Sequence, residues 1–358
     1  MKKTLAYIAI LAVLGFGIYY FIFRTDDNPF GRTEAGFNVK DTASVGKIYI
    51  VAADGEGVTV ERKGPIWMLN GKEKALPSMV ELTLNTLAGQ RVIAPVTKAA
   101  FDNAVKLLAS DAIKVEVYNR DGKKMTVFYV GGASANGNGT NMLMEGAKTP
   151  FIVQVPAFTG DLTARYSTRI RDWRDRTVFD VLSADIKSVS VQYADKPLNS
   201  FVLSREGSSY KILGDPMITE NMGPLNVARA NYYMAYFTNV NCEGYMNGLE
   251  GMDTVIQKTV KRCTIDLETV KGEKQHADIF WLPINRRSKN KQTANQDVPD
   301  EYDADRMYAI INNNKDTVMI QTLTFRKILR MSYEFFKKDE VRAETAPVPN
   351  NVIMHKPQ

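Results

Sequence analysis

Side chains that commonly carry out catalysis are scarce in this sequence. It contains 2 histidines and 2 cysteines, which is too few for the common Cys/His metal sites. A hydrolytic triad needs a histidine held beside a nucleophile. His276 lies in a turn-to-strand stretch, His355 lies in a polar tail, and no Gly-x-Ser-x-Gly motif is present. We therefore interpret His276 as an exposed strand residue and predict no enzymatic activity, cofactor or metal.

Two polar loops have compositions that could bind a phosphate or a cation. Gly131–Gly139 is rich in glycine, but it joins two predicted strands and lacks the Gly-Lys-Ser/Thr ending of a phosphate-binding loop. Asn285–Asp305 begins with a basic run and ends with acidic residues that could offer oxygen ligands to calcium. It lacks the EF-hand spacing with its glycine. A solvated flap and a contact surface both remain open, with Arg286 and Arg287 as candidate partner contacts.

Charge gives little indication of a polyanionic partner. The chain carries 46 basic and 40 acidic side chains, a net charge of +6. No long basic run with interleaved aromatic residues is present, so nucleic-acid binding is not expected.

The uncharged run Leu5–Phe23 predicts a membrane anchor. As a helix it approaches the thickness of a bilayer core, about 30 Å. Lys2 and Lys3 precede it, which favours a cytoplasmic N-terminus and places the rest of the chain in the periplasm or outside the cell. A cleaved signal peptide is an alternative, but its only candidate cleavage site, Gly15-Phe16-Gly17, lies inside the run. A buried core helix is a third interpretation.

Beyond the anchor, short alternating strands and a few amphipathic helices predict an α+β fold with antiparallel hairpins. Helices are expected at 77–88 and 98–109, and a short closing helix at Phe158–Tyr166. The same order of elements recurs after residue 185 and ends in a helix at Phe325–Phe336, which predicts a tandem duplication of one α+β unit. The predicted organisation is an anchor at 1–24, a polar linker at 25–44, repeats at 45–170 and 171–336, and a disordered tail at 337–358.

Two further sets of residues follow from this organisation. Trp173, Arg174 and Arg176 lie in the passage between the repeats. They are candidate partner contacts, although an Arg/Asp network that fixes the packing is the favoured interpretation. Cys242 and Cys263 are the only cysteines, and an extracytoplasmic location permits a disulfide between them. Their counterparts in the first repeat are apolar, so two small buried core residues are the alternative.

Three stretches carry a family resemblance: Ile48–Leu69, the hairpin Lys114–Val130 and the junction from Trp173 to Phe179. Through them the sequence resembles the bacterial family known as domain of unknown function 4340. The resemblance spans Val45–Phe336 and concerns the pattern of strands rather than signature side chains. It implies an N-terminal membrane anchor followed by strand-rich units. Members often accompany the ATPase and permease of an ABC-2-type transporter, including gliding-associated ones. The resemblance therefore implies an envelope accessory role, and it supplies no catalytic residues.

These observations favour a non-catalytic envelope protein with a single anchor in the bacterial inner membrane. We expect it to act as a structural or substrate-presenting partner of an ABC-2-type permease and ATPase complex. A binding module for cell-wall or surface glycan is an alternative, for which aromatic side chains exposed in a groove would be the sign. An enzyme would instead need titratable groups that converge in a concave pocket.

Overall fold

In the computed structural model, the described residues are 32–336 except 221, 286–287, 289–297 and 314. The chain forms two compact units, Met1–Asp175 and Arg176–Gln358. The predicted anchor Leu5–Phe23 and the predicted tail 337–358 lie outside the described residues. Within the part of the chain that is described, no helix has the length and apolar character needed to cross a membrane.

The first unit is an antiparallel sheet with helices packed against it. Its helices are α1 (Arg32–Ala35), α2 (Pro77–Gly89), α3 (Lys98–Asp111) and α4 (Ile170–Trp173). Its strands are β1 (Val45–Val51), β2 (Gly57–Lys63), β3 (Ile66–Leu69), β4 (Glu73–Lys74), β5 (Arg91–Pro95), β6 (Ile113–Asn119), β7 (Lys124–Ala133), β8 (Thr140–Met144) and β9 (Phe151–Gln154). The strand order in the sheet is β4-β3-β2-β1-β6-β7-β8-β9-β5.

One face of this sheet is buried because its strands alternate apolar and polar residues. Ile48 and Ile50 of β1 are fully buried, whereas Lys47 and Tyr49 between them are partly exposed. Such alternation directs every second side chain to the core. A cluster of buried aromatic and aliphatic residues, which includes Phe128 and Tyr166, fills the space between this face and α2.

Part of the interval 25–44, predicted to be a polar linker, belongs to the folded first unit. Ala35, Phe37 and Val39 are buried in its core. Phe37 also offers its carbonyl oxygen to the side-chain amide of Gln90 at 2.5 Å. The apolar residues at every second position direct one side of this segment inward, so the described end of the interval is not a solvated spacer.

The second unit contains two antiparallel sheets. Its helices are α5 (Pro216–Thr219), α6 (Val227–Ala235), α7 (Met252–Lys258) and α8 (Thr322–Phe325). Its strands are β10 (Thr177–Phe179), β11 (Ile186–Tyr193), β12 (Phe201–Glu206), β13 (Ser209–Gly214), β14 (Val240–Asn241), β15 (Gly244–Tyr245), β16 (Lys261–Thr269), β17 (Lys274–Pro283), β18 (Tyr302–Ile311) and β19 (Asp316–Gln321). The larger sheet has the order β13-β12-β11-β16-β17-β18-β19-β15, and β10 pairs with β14.

Corresponding strands occupy corresponding places in the two large sheets. β11, β12 and β13 stand where β1, β2 and β3 stand in the first unit, and β16 to β19 follow as β6 to β9 do. A β-bulge even recurs at the same point. Gly46 is the extra residue of β1 against β6, and Lys187 is the extra residue of β11 against β16. The first sheet has one additional edge strand, β4, beside β3.

The α+β class and the antiparallel hairpins are as predicted, and so are the positions of α2 and α3. The two predicted closing helices are wrong. Phe158–Tyr166 contains only a 3₁₀ turn, Thr163–Tyr166, because Gly160 has a φ of 115° that no right-handed helix accommodates. Phe325–Phe336 contains the end of α8 and a 3₁₀ turn, Ser332–Phe336. The strand β5 and the helix α7 were not predicted.

Candidate functional site

The Trp173–Asp175 part of the junction is tied to the first unit. The Trp173 side chain is fully buried, and its indole Nε1 donates to the carbonyl oxygen of Ser167 at 2.7 Å. Its own carbonyl oxygen accepts from the backbone N–H of Leu76 at 2.6 Å. That N–H precedes α2, where Pro77 occupies the first turn and no side chain caps the helix. Trp173 therefore supports the fold and is not accessible to a partner.

The arginines on either side of the unit boundary have separate environments. Arg174 Nε lies 2.8 Å from Glu73 Oε2 of β4, and the Arg174 side chain is largely covered. Asp175 donates its backbone N–H to the carbonyl oxygen of Lys74 at 3.0 Å. Arg176 belongs to the second unit, where its carbonyl oxygen accepts from the backbone N–H of Cys242 at 2.8 Å. These backbone and ion-pair contacts stabilise the edge of each unit.

The structure contains no disulfide between Cys242 and Cys263. Both thiols are buried in the second core. Cys263 lies within the sheet on β16, opposite Tyr193 on one side and Ile279 on the other. Cys242 directly follows β14, and its backbone N–H donates to the carbonyl oxygen of Arg176, the residue before β10. The arrangement corresponds to the alternative interpretation, in which both cysteines pack as small core residues.

Arg286 and Arg287 lie outside the described residues, and so does most of the loop that contains them. Its base is ordered around Asp303, a buried carboxylate. Oδ1 of Asp303 accepts from the backbone N–H groups of Asp305 and Arg306 at 2.9 and 3.0 Å. Oδ2 accepts from the Ser288 hydroxyl at 2.5 Å. Both carboxylate oxygens are thus used to close the loop. Of the glycine-rich stretch Gly131–Gly139, the first three residues end β7 and residues 134–139 form the hairpin connection to β8.

His276 lies among carboxylates on an open sheet face. Asp266 is opposite His276 in the pairing of β16 with β17, and Thr264 is opposite Asp278. His276 Nδ1 lies 2.6 Å from Asp266 Oδ1, while Nε2 lies 3.5 Å from Asp278 Oδ1. Lys261 Nζ and Thr264 Oγ1 also reach Asp278 Oδ1, at 2.6 and 2.7 Å.

This arrangement pairs the charges of the cluster, and within the described part of the chain the hydrogen bonds and ion pairs of the His276 imidazole go to Asp266 and Asp278. Burial lowers the pKa of His276, but the hydrogen bond to Asp266 and the charge of Asp278 outweigh it and raise the pKa above its ordinary 6.5. Burial raises the pKa of Asp278, yet Lys261 and Thr264 bring it below its ordinary range. Among the described residues, no group of three or more His, Cys, Asp or Glu side chains could hold a metal ion.

A basic pocket in the first unit was missed in the sequence. It lies where the bulge of β1 meets the β6–β7 turn, and Lys47, Arg62 and Arg120 all line it. Arg62 Nε donates to the carbonyl oxygen of Val45 at 3.2 Å, and its guanidinium lies 4.7 Å from the ring centre of Trp67. Arg120 Nε donates to the carbonyl oxygen of Ala43 at 3.1 Å. The three basic residues are far apart in the sequence, so no local motif indicated that they lie together.

Two details complete the geometry of this pocket. Lys47 Nζ lies 4.1 Å from the centre of the Tyr118 ring. Gly46 permits the close approach of the turn, because a Cβ there would lie 2.6 Å from the Cα of Arg120. Glu61 also lines the pocket but forms its ion pair with Lys63 at 3.1 Å. Within the described chain, no carboxylate forms an ion pair with Lys47, Arg62 or Arg120.

An apolar corner lies at the β13 edge of the second unit. Leu213 on β13 is 57% exposed, and Met217 on the following helix α5 is 81% exposed. α5 packs beside the 3₁₀ turn Pro197–Asn199, which carries the exposed Leu198. We call Leu198, Leu213 and Met217 the edge patch. Edge strands present unpaired backbone N–H and C=O groups, and an exposed apolar cluster beside them is typical of a contact surface.

Comparison with known proteins gives a family but no characterised relative. The model of the family described as domain of unknown function (DUF4340) matches residues 67–258 of the 358 in the chain. The match covers the junction at Trp173 and parts of both units. Searches among curated proteins and among solved structures each found no match.

Proposed function

The chain belongs to the family described as domain of unknown function (DUF4340), and on this premise we propose that it is a non-catalytic accessory protein of the cell envelope. It serves as a structural or substrate-presenting partner of an ABC-2-type transport complex. The family resemblance implies that complex. The edge of the second sheet supports the binding role.

The observation that carries the proposal is the difference between the two sheet edges. In the first unit β4 covers the outer side of β3. In the second unit β13 is the last described strand at the corresponding edge. The edge patch lies beside it. An extended segment of a partner can add to β13 through backbone hydrogen bonds and place apolar side chains on Leu213 and Met217.

We also propose that the two units arose by duplication of one α+β unit. The matching strand order and the matching bulge support this origin. So do Arg62 and Arg205, each of which donates Nε to the residue before its bulge, Val45 or Ile186. A duplicated scaffold explains how β3 is covered by β4 in one copy while the corresponding strand β13 is left at the edge in the other.

The proposed location follows from Leu5–Phe23, which we propose as a retained single anchor in the bacterial inner membrane. The folded units then lie in the periplasm or outside the cell. The alternative of glycan binding has less support. Tyr232 is the only exposed aromatic side chain among the described residues, whereas sugar-binding grooves rely on exposed aromatic rings.

The experiment is site-specific photo-crosslinking in cells that produce the full chain. A photoreactive residue is placed at Leu213 or Met217, and a matched control is placed at Leu323, an exposed leucine of the same unit. We expect the first two positions to give a crosslinked product that mass spectrometry identifies as an ABC-2-type permease or ATPase. Leu213→Lys should abolish the crosslink at Met217, because a lysine charge opposes apolar docking.

Leu323→Lys is the control for the added charge and should leave that crosslink intact. A transporter crosslink of equal strength from Leu323 would show that the edge patch has no special role. Absence of any transporter subunit among the products at Leu213 and Met217 would overturn the proposal.

A further inference from the structure

We propose that the basic pocket of the first unit binds a phosphate group. Lys47, Arg62 and Arg120 line one pocket, and Glu61, the acidic residue beside them, is engaged by Lys63. Glu61 lies opposite Lys47 in the pairing of β1 with β2, so the lining carries three positive charges and one negative charge. This excess of positive charge favours a ligand that carries more than one negative charge. A phosphate monoester meets this requirement better than a single carboxylate, and guanidinium groups match its oxygens in a bidentate manner.

The cationic side chains are held in place before any ligand binds. Arg62 is fixed by its bond to Val45 and by the Trp67 ring, and Arg120 by its bond to Ala43. Each bond uses Nε, so the terminal nitrogens of both guanidinium groups remain available to donate hydrogen bonds to an anion. Side chains ordered by the fold lose little further conformational entropy on binding, which favours affinity.

The second unit shows which of these residues the fold requires. Arg205 corresponds to Arg62: it donates Nε to Ile186 at 3.3 Å, and its guanidinium lies 5.1 Å from the ring centre of Tyr210. Its Nη2 additionally donates to the carbonyl oxygen of Ser183 at 2.6 Å. An arginine at this position therefore has a structural role in both units, but in the second unit more of its donors are consumed by the backbone.

The other two cations occur only in the first unit. Val270 corresponds to Arg120. The backbone N–H of Val270 donates to the carbonyl oxygen of Asp185, and that of Arg120 donates to the carbonyl oxygen of Ser44. Each acceptor ends the 3₁₀ turn that precedes the first strand of its sheet, β11 or β1. Ser188 corresponds to Lys47, since each is the first paired residue after the bulge. The same fold thus forms without a cation at either position. The fold therefore does not require a positive charge at Lys47 or Arg120, and their charges are available for ligand binding.

This comparison supplies the variants for the test. Lys47→Ser together with Arg120→Val gives the first unit the residues that the second unit carries at those places. Because the second unit folds with them, the variant is expected to fold. The matched control is Lys72→Ser with Arg91→Val, which removes the same charge from exposed residues that do not line the pocket.

Binding is measured by titration calorimetry on the full chain in detergent with two probes. Inorganic pyrophosphate represents a soluble phosphate. Dihexanoyl phosphatidic acid, below its micelle concentration, presents a phosphate monoester on a lipid, and dihexanoyl phosphatidylcholine is its control without a monoester. We expect saturable binding of at least one of the first two probes. The double variant should weaken it about tenfold or more, as expected for lost hydrogen bonds to a charged group.

The pattern of binding identifies the source of the phosphate. Affinity for pyrophosphate indicates a soluble ligand, and affinity for phosphatidic acid alone indicates a lipid headgroup. Absence of saturable binding by both probes overturns the proposal. So does an equal loss of affinity in the control variant, or unchanged affinity in the double variant. If the double variant does not fold, as judged by circular dichroism, Arg120→Val alone is tested against the same criteria.

Discussion

Replacement of Trp173 tests whether this residue holds the first unit together or serves a partner. Its side chain is fully buried, and its indole N–H bonds to Ser167 at 2.7 Å. Trp173→Ala removes the ring and leaves a cavity, which typically costs about 3–5 kcal/mol. Trp173→Phe keeps most of the apolar contact but leaves the buried Ser167 carbonyl without its donor. That change is expected to cost about 1–3 kcal/mol.

The assay is hydrogen exchange of the intact chain, followed by mass spectrometry. Slow amides in β1 and β6, at the centre of the first sheet, exchange only when the unit opens. A loss of about 3 kcal/mol should accelerate their exchange by roughly 10²-fold, since each 1.4 kcal/mol is a factor of ten. Trp173→Phe should give a smaller acceleration than Trp173→Ala.

The control is Ile170→Ala in the same short helix, because Ile170 is 45% exposed. It should change the free energy of unfolding by no more than about 0.5 kcal/mol. If Trp173→Ala accelerates exchange less than fivefold, the packing argument is refuted. A partner-binding role for Trp173 would then regain support.

Three other predictions address the bulge, the histidine cluster and the thiols. Gly46→Ala should lower the free energy of unfolding by about 1–3 kcal/mol through overpacking against Arg120. Gly132→Ala, with nothing within 4 Å of the new Cβ, should leave it unchanged or raise it by up to about 1 kcal/mol in the same denaturant titration. The folded-state pKa of His276 is raised above 6.5, its ordinary value in the unfolded chain. The stability that protonated His276 contributes is therefore complete below pH 6.5 and is lost as the pH rises through the higher, folded-state pKa. His276→Gln should remove this part of the pH dependence, and an unchanged pH profile would contradict the assignment. Both thiols are buried, and burial raises the pKa of Cys263 to about 12. Iodoacetamide should therefore alkylate Cys242 and Cys263 only after unfolding. If neither cysteine is alkylated after unfolding without reductant, a disulfide joins them and the prediction is wrong.

The sequence alone determined the elements whose signal is local. Alternation in Lys114–Tyr118 and the Asp-Gly turn that follows it predicted the β6–β7 hairpin correctly, since period and turn chemistry both act within a few residues. The recurrence of the same succession after residue 185 predicted corresponding units, and the two sheets have corresponding strand orders. Family membership was equally accessible, because it depends on this succession of strands.

Features that depend on long-range pairing were decided by the tertiary structure. Periodicity shows which side chains share a face, but not which distant strand lies beside that face. The pairing of β1 with β6 brings Lys47 and Arg120 together, and the pairing of β2 with β1 adds Arg62. None of these residues stands out in the linear sequence.

The tertiary structure also determined which segments outside regular strands are buried. Phe37 stands in a short polar stretch that predicted a spacer, yet a pocket in the first core accepts it. Trp173 could equally have been a surface residue, because its indole finds a partner only where the chain returns past Ser167 and Leu76. A side chain is buried when distant segments together close around it, and the free energy of that closure is not encoded at any single position.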